Sequence, residues 1–242
     1  RKLALSTMRA HSIAYDKNTN KVFVSFTRFV ETNITRLAVA SIKVDSDNFQ
    51  PIGDWEFIFE SDNLYSNAFD THAGGGKILV HNNNLYVTVG YSEFDPKVVN
   101  GKMISRAQDD DSTFGKIFKI DLNNWLVSLV SKGHRNAQGL AVTTSNKLFS
   151  VEHGPQGGDE INLIQDGGNY GWPHATYGTR YGTYDYTWPS YAIDDLELVE
   201  PFYSFVPSVA TSAIQQINGF NDRWNGDLLV GSLKAQSIYR IK

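Results

Sequence analysis

The sequence predicts an all-β protein assembled from repeated hairpins, and three observations lead to this prediction. Short runs rich in Val, Ile, Phe and Tyr recur along the chain and are typical of strands. Connectors rich in Asn and Asp, which favour tight turns, separate these runs. No convincing helical repeat extends over about ten residues, and only residues 98–105 are expected to make a short helical turn. The clearest predicted strands are residues 21–27, 37–44, 77–81, 85–89, 116–121 and 148–152.

A strand, a polar turn and a second strand recur as one unit along the chain. Residues 13–25, 78–88 and 140–150 each contain this unit, and residues 213–230 contain a more diverged copy. The units follow each other at roughly 60 residues, longer than a compact propeller blade of about 40 to 50, so loops must lie between them. The repeat predicts a single β-propeller domain over residues 1–242. On pattern alone, a β-sandwich with long loops is the alternative.

Composition excludes several functional classes. Of the 242 residues, 41% are hydrophobic and 20% charged, which is typical of a globular protein with a buried core. The net charge is −4 and no basic block is present, so nucleic acid is not expected as a partner. No apolar run approaches the roughly 18 residues that a membrane-spanning helix requires. The chain has no Cys, which excludes disulfides and thiolate metal sites.

Five glycine-rich or polar segments carry the chemistry of this sequence. They read HAGGGK at 72–77, GHRNAQGL at 133–140, EHGPQGGDEIN at 152–162, GNYGWP at 168–173 and GSLK at 231–234. In this order they closely resemble the soluble glucose, sorbosone and aldose dehydrogenases that use pyrroloquinoline quinone (PQQ). The resemblance extends over most of the chain, and the part from Gly133 to Pro173 is its most specific stretch.

The resemblance implies an architecture and a location. The expected fold is a six-bladed β-propeller of the quinoprotein sugar dehydrogenase type, with PQQ across its wide end and a calcium ion beneath the cofactor. Relatives begin with a further blade and continue with further strands, so portions of the first and last blades are expected to be missing. A periplasmic or secreted protein is also implied. His153 matches the aldose branch, whereas Lys77 and Tyr91 depart from the family pattern and leave the sugar open.

The resemblance also assigns catalytic and cofactor-binding roles. His72 matches the general base, and an imidazole, which titrates near neutrality, suits removal of a sugar hydroxyl proton as hydride leaves the carbon. Arg135 matches the residue that polarises the quinone and stabilises its developing negative charge. The remaining cofactor contacts are expected from Asn136, His153 and Lys234, of which the lysine supplies a cation for the acidic groups of PQQ.

Two calcium sites are implied by the same resemblance. The backbone carbonyls of Gly154 and Pro155 are expected to hold the ion bound to the cofactor, since calcium prefers oxygen ligands. Glu160 and the carbonyl of Tyr170 resemble a second, structural site, with Asp159 as an additional candidate. A solvated turn is the alternative for the two acidic residues.

The implied function is an oxidoreductase that oxidises an aldose at C1 to the lactone and passes electrons to an external acceptor. The aromatic loop 177–191 offers stacking surfaces for the sugar, or alternatively an interface or a packed loop. Two other functions stay open, because a fold does not guarantee a chemistry. One is a catalytically inactive propeller that binds a carbohydrate or a protein, and the other is a calcium-stabilised module of a larger extracellular protein.

Overall fold

The computed structural model of the chain describes residues 7–32, 34–65, 74–91, 97–99, 102–179, 181–182 and 197–242. Within these ranges the backbone forms strands, turns and loops and no helix, which confirms the all-β prediction. No helix capable of crossing a membrane is therefore found in this described part of the chain.

The first sheet is an antiparallel meander. Its strands are β1 (Thr7–Asp16), β2 (Lys21–Glu31), β3 (Ile34–Val44) and β4 (Pro51–Glu60), with the short β5 (Leu64–Tyr65) paired to β3. Asp16 ends β1 by accepting hydrogen bonds from the backbone of Asn18 at 3.1 Å and the hydroxyl of Thr19 at 2.6 Å. This carboxylate closes the turn that the Asp- and Asn-containing connector predicts.

The second sheet follows in the chain, and a separate hairpin between its strands in sequence is where the helical-turn prediction is wrong. The chain continues through β6 (Gly75–His81), β7 (Asn84–Val89), β8 (Lys97–Val99), β9 (Lys102–Ile104), β10 (Lys116–Asp121) and β11 (Val127–Lys132). The sheet order is β11-β10-β7-β6, whereas β8 and β9 pair with each other as a separate hairpin. The described residues between 98 and 105 thus include strand residues rather than a helical turn, because Val98 pairs with Met103 across the hairpin.

Two further sheets complete the described fold. The chain continues through β12 (Ala137–Val142), β13 (Leu148–Glu152), β14 (Asp159–Leu163), β15 (Gly168–Asn169), β16 (Tyr203–Phe205), β17 (Thr211–Gln216), β18 (Leu228–Ser232) and β19 (Ser237–Ile241). The third sheet has the order β12-β13-β14-β16 and the fourth β17-β18-β19. Strand β15 returns to the second sheet and pairs in parallel with β11, which carries Tyr170 across the boundary between the two sheets.

The repeat seen in the sequence is the blade repeat of the structure. Each of the four units forms the first two strands of one sheet, in which Ala14 pairs with Phe23, Leu79 with Tyr86, Ala141 with Phe149 and Ile214 with Val230. The first strands of successive sheets pack on one another, β1 on β6, β6 on β12 and β12 on β17. This arrangement of consecutive meanders side by side is that of a β-propeller.

The hydrophobic core lies between neighbouring sheets. One cluster joins the first and second sheets through residues such as Phe23, Val39 and Val87. A second joins the second and third sheets through Ile117 and Leu140, and a third joins the last two sheets through residues such as Val151 and Val230. Because each blade buries one face on the next, the loops at the ends of the blades are brought together in space.

Candidate functional site

The predicted base, His72, lies outside the described residues, which resume at Gly74. The backbone N–H of Gly75 donates to Asn136 Oδ1 at 3.3 Å, and the N–H of Gly90 donates to the carbonyl of Gly74 at 3.0 Å. Gly76 has φ +85° and lies against the ring of His11, where an added Cβ would come 2.6 Å from His11 Cγ. Only glycine fits this position without displacement of the imidazole.

Arg135, between β11 and β12, is buried at the centre of the site. Its Nη1 donates to the carbonyls of Gly154 at 2.7 Å and His153 at 3.1 Å, and its Nη2 donates to the hydroxyl of Tyr181 at 3.3 Å. The guanidinium also lies over the Trp172 ring, with Cζ 5.3 Å from the ring centroid. Burial lowers the pKa of Arg135, but a guanidinium remains protonated in proteins, so the site contains a fixed positive charge.

The buried carboxylate of Glu152 holds the backbone of Arg135 in place. Glu152, at the end of β13, accepts hydrogen bonds from the backbone N–H of Arg135 at 2.8 Å, from His134 Nδ1 at 2.9 Å and from Asn162 Nδ2 at 2.6 Å. Burial alone would raise the pKa of Glu152, but the attraction of His134 and the donated hydrogen bonds outweigh it and hold that pKa below its ordinary value. The carboxylate is therefore ionised, and it fixes the backbone of Arg135.

Sequence reasoning missed the pair formed by His134 and Glu152. His134 is fully buried, its Nε2 is 2.8 Å from Ser131 Oγ, and its ring stacks on Tyr170 with centroids 4.6 Å apart. Two signals were available in the sequence. A histidine directly precedes Arg135, and a glutamate ends a mostly apolar strand, where an unpaired charge would be costly.

The other predicted cofactor contacts lie close to Arg135 in the structure. Asn136 is buried, and its Oδ1 also accepts from Gln138 Nε2 at 2.6 Å, while its backbone carbonyl accepts from the N–H of His153 at 3.1 Å. His153 Nε2 lies 2.6 Å from the carbonyl of Thr211, so this nitrogen carries the proton. Arg135, Asn136, His153 and Gly154 thus form one hydrogen-bonded group.

Lys234 reaches this group indirectly, through the loop 208–211. Lys234 is exposed in the turn after β18, and its backbone N–H donates to the carbonyl of Val209 at 3.1 Å. Asp159 fixes this loop by accepting from the N–H groups of Val209 at 3.0 Å and Ala210 at 2.6 Å. Both oxygens of Asp159 also accept from the hydroxyl of Ser208, so this carboxylate is engaged as an anchor for the loop.

A small cavity brings three of the four predicted metal ligands together. It has a volume of about 10 Å³, enough for one water molecule or ion, and Arg135, Gly154, Glu160 and Tyr170 contribute to its lining. Pro155 is buried but lies outside this lining.

The polar groups around the cavity suit a hard cation. Burial, reinforced by the nearby charge of Glu152, raises the pKa of Glu160 to about 8, which a bound cation would reverse. Asn162 Nδ2 donates to Glu160 Oε2 at 3.1 Å, whereas Asn162 Oδ1 is buried without a hydrogen-bond partner. The carbonyls of His153 and Gly154 already face a cationic guanidinium. Among the described residues no cluster of three or more His, Cys, Asp or Glu side chains is found, so a metal here would depend largely on backbone oxygens.

Comparisons with known proteins point to one family. The sequence model of the Glucose / Sorbosone dehydrogenase family matches residues 10–242. The aldose sugar dehydrogenase YliI of Escherichia coli is 30% identical over 210 residues, which cover 80% of this chain and 53% of YliI. A crystal structure of a glucose dehydrogenase superposes with a TM-score of 0.76 at 26% identity and covers 96% of this chain and 68% of its own.

A second solved structure supports the fold alone. The PQQ-bound form of an aldose sugar dehydrogenase from Streptomyces coelicolor has a TM-score of 0.68 at 22% identity, covering 99% of this chain and 64% of its own. The chain spans about half the length of the curated relatives it matches, 53% in each of the first two.

Proposed function

Because the chain belongs to the glucose/sorbosone dehydrogenase family, we propose that it acts as a PQQ-dependent oxidoreductase that oxidises an aldose at C1 to the lactone. The observation that carries this proposal is the buried Arg135, held against the carbonyl of Gly154 in one cavity with Glu160 and Tyr170. A buried cation beside a set of oxygen ligands suits an anionic cofactor that binds together with a metal ion.

Each residue of the site has a distinct task in this proposal. The quinone of bound PQQ would supply the hydride acceptor, and calcium would supply positive charge beside it. Arg135 stabilises negative charge on that side of the site, and Glu152 keeps the arginine backbone in place. His72 takes the proton of the sugar hydroxyl. Asn136, His153 and Lys234 bind and orient the cofactor.

Three of the four proposed metal ligands line the cavity, and Pro155 follows Gly154 in the chain but lies outside the lining. Gly154 and Pro155 would offer carbonyl oxygens to the calcium ion of the cofactor, and Glu160 with the carbonyl of Tyr170 would offer oxygens to a second ion. The partly buried carboxyl of Glu160 and the orphaned Asn162 Oδ1 support a cation in this region, since both would gain from a positive charge.

The remaining parts of the proposal concern the substrate and the cellular setting. His153 matches the aldose branch of the family, which favours a range of aldose sugars over glucose alone. An external electron acceptor and a periplasmic or secreted location complete the proposal, and the similarity to dehydrogenases supports its oxidoreductase part.

Reconstitution tests the proposed function directly. The full-length protein is supplied with PQQ and calcium, and reduction of a dye is followed with several aldoses. We expect saturable dye reduction with at least some of them. Failure to bind PQQ at micromolar concentrations would overturn the proposal, and sugar binding without dye reduction would favour a carbohydrate-binding module instead.

The role of His72 is tested by substitution in the active protein. His72→Ala is expected to lower turnover by roughly a hundredfold or more, as loss of a general base typically does. His81→Ala, at the opposite end of β6 from the Gly75 end of the site, is the matched control and should leave turnover near that of the wild type. Equal turnover in the two variants contradicts the assignment.

A further inference from the structure

The carbonyl of Gly154 contacts a cationic side chain and is also a proposed calcium ligand. In the structure it accepts a hydrogen bond from Arg135 Nη1 at 2.7 Å, and the neighbouring carbonyl of His153 accepts from the same nitrogen at 3.1 Å. In the proposed function the Gly154 oxygen holds calcium, which binds oxygen ligands at about 2.3–2.6 Å. A guanidinium and a calcium ion cannot share this oxygen at such distances without strong repulsion in a partly buried site.

The backbone and the side chain of Arg135 are held differently. Its backbone N–H donates to Glu152 at 2.8 Å, and its carbonyl accepts from the N–H of Tyr91 at 2.7 Å, so the main chain is fixed on both sides. The side chain leans toward Tyr181, whose hydroxyl is 3.3 Å from Nη2 and which is 46% exposed. Rotation of the side chain toward Tyr181 would take the guanidinium away from Gly154 while both backbone hydrogen bonds stay in place.

We propose that Arg135 competes with calcium inside the protein. Its guanidinium occupies the carbonyl oxygen of Gly154 until an anionic ligand attracts the guanidinium elsewhere. This inference rests on the proposed function, since the anionic ligand is the quinone. Calcium alone binds weakly because it must displace a buried cation from its oxygen partners. An acidic cofactor removes this obstacle by giving the guanidinium a new partner, so calcium and cofactor bind cooperatively.

Calcium titration without the quinone tests the competition. The calcium affinity of the wild type and of Arg135→Gln is measured by calorimetry, and the variant is expected to bind calcium roughly tenfold or more tightly, because the repelling charge is gone. Arg135→Lys keeps the charge and is expected to keep the weak binding. Lys17→Gln removes one charge from the β1–β2 turn, outside the cavity lining, and controls for the change in net charge.

A second background identifies the oxygen for which the cations compete. The same titrations are repeated in proteins that also carry Glu160→Gln, which removes the nearby carboxylate. If the contested ligand is the Gly154 carbonyl, Arg135→Gln is still expected to increase the calcium affinity. If Arg135→Gln does not fold, Arg135→Met, whose stem still packs on Trp172, makes the same comparison. Equal calcium affinity in wild type and the neutral variants, or a gain that disappears with Glu160→Gln, overturns the inference.

The proposed function has a separate readout. Dye reduction by the wild type with PQQ, calcium and an aldose reports on that function alone. If the wild type is active but the neutral variants have unchanged calcium affinity, the proposed oxidoreductase function stands and only the proposed competition is wrong.

Discussion

The partly buried imidazole of His11 makes the stability of this protein depend on pH in a calculable way. His11 lies on β1 with its ring against Gly76, and its Nε2 is 2.7 Å from Thr27 Oγ1. Burial, helped by the nearby charge of Arg9, lowers the pKa of His11 from 6.5 to about 4. The folded protein therefore keeps this imidazole neutral over a pH range in which the unfolded chain protonates it.

The sign and size of the effect follow from this difference. Between pH 6.5 and pH 4 the unfolded state binds a proton that the folded state does not, so the free energy of unfolding decreases as the pH is lowered through this range. At 1.36 kcal/mol per pKa unit, lowering the pH from 7 to 4 should remove about 3 kcal/mol through His11 alone.

Urea denaturation at pH 7 and pH 4 measures this loss once the contribution of the other titrating groups is subtracted. His11→Gln keeps a side chain able to bond Thr27 but cannot be protonated, so it serves as the reference. We expect the wild type to lose about 3 kcal/mol more than the variant between the two pH values. If both proteins lose the same amount, the imidazole is not buried in the neutral form and the reasoning is refuted.

Three further substitutions test the contacts around the site. Glu152→Gln breaks a buried ion pair and should lower the free energy of unfolding in urea by about 3–5 kcal/mol; a loss within about 1 kcal/mol would contradict the pairing. Asp159→Asn replaces an oxygen that accepts backbone N–H groups and should lower the free energy of unfolding by about 2 kcal/mol. Amide exchange should become faster first in the loop 208–211. Unchanged exchange there would argue that Asp159 does not anchor the loop. Gly76→Ala places a methyl group against His11 and should lower the thermal unfolding temperature. Adding His11→Ala to this variant should recover part of the lost stability. Strictly additive effects of the two substitutions would show that the residues do not interact.

The fold was predictable to the level of the hairpin. All six predicted strands are present, and each recurring unit became the first two strands of a sheet, because a period-two pattern next to an Asn-containing turn encodes a hairpin locally. The pair β8 and β9 was missed because strands of three residues are too short to show a period. The roles of Arg135, Asn136, His153 and Lys234 came from family resemblance and stay predictions.

The sequence by itself determined where the strands and turns lie, how often the hairpin repeats and which loops carry polar chemistry, since these depend on residues close together in the chain. Only the tertiary structure decided which of these residues meet. The contact of Arg135 with Gly154 and the pairing of Glu152 with His134 join residues 18 or 19 positions apart, and Asp159 holds a loop some 50 positions away. Such contacts form when neighbouring blades bury their apolar faces on each other and bring their end loops together, and no local pattern encodes that arrangement.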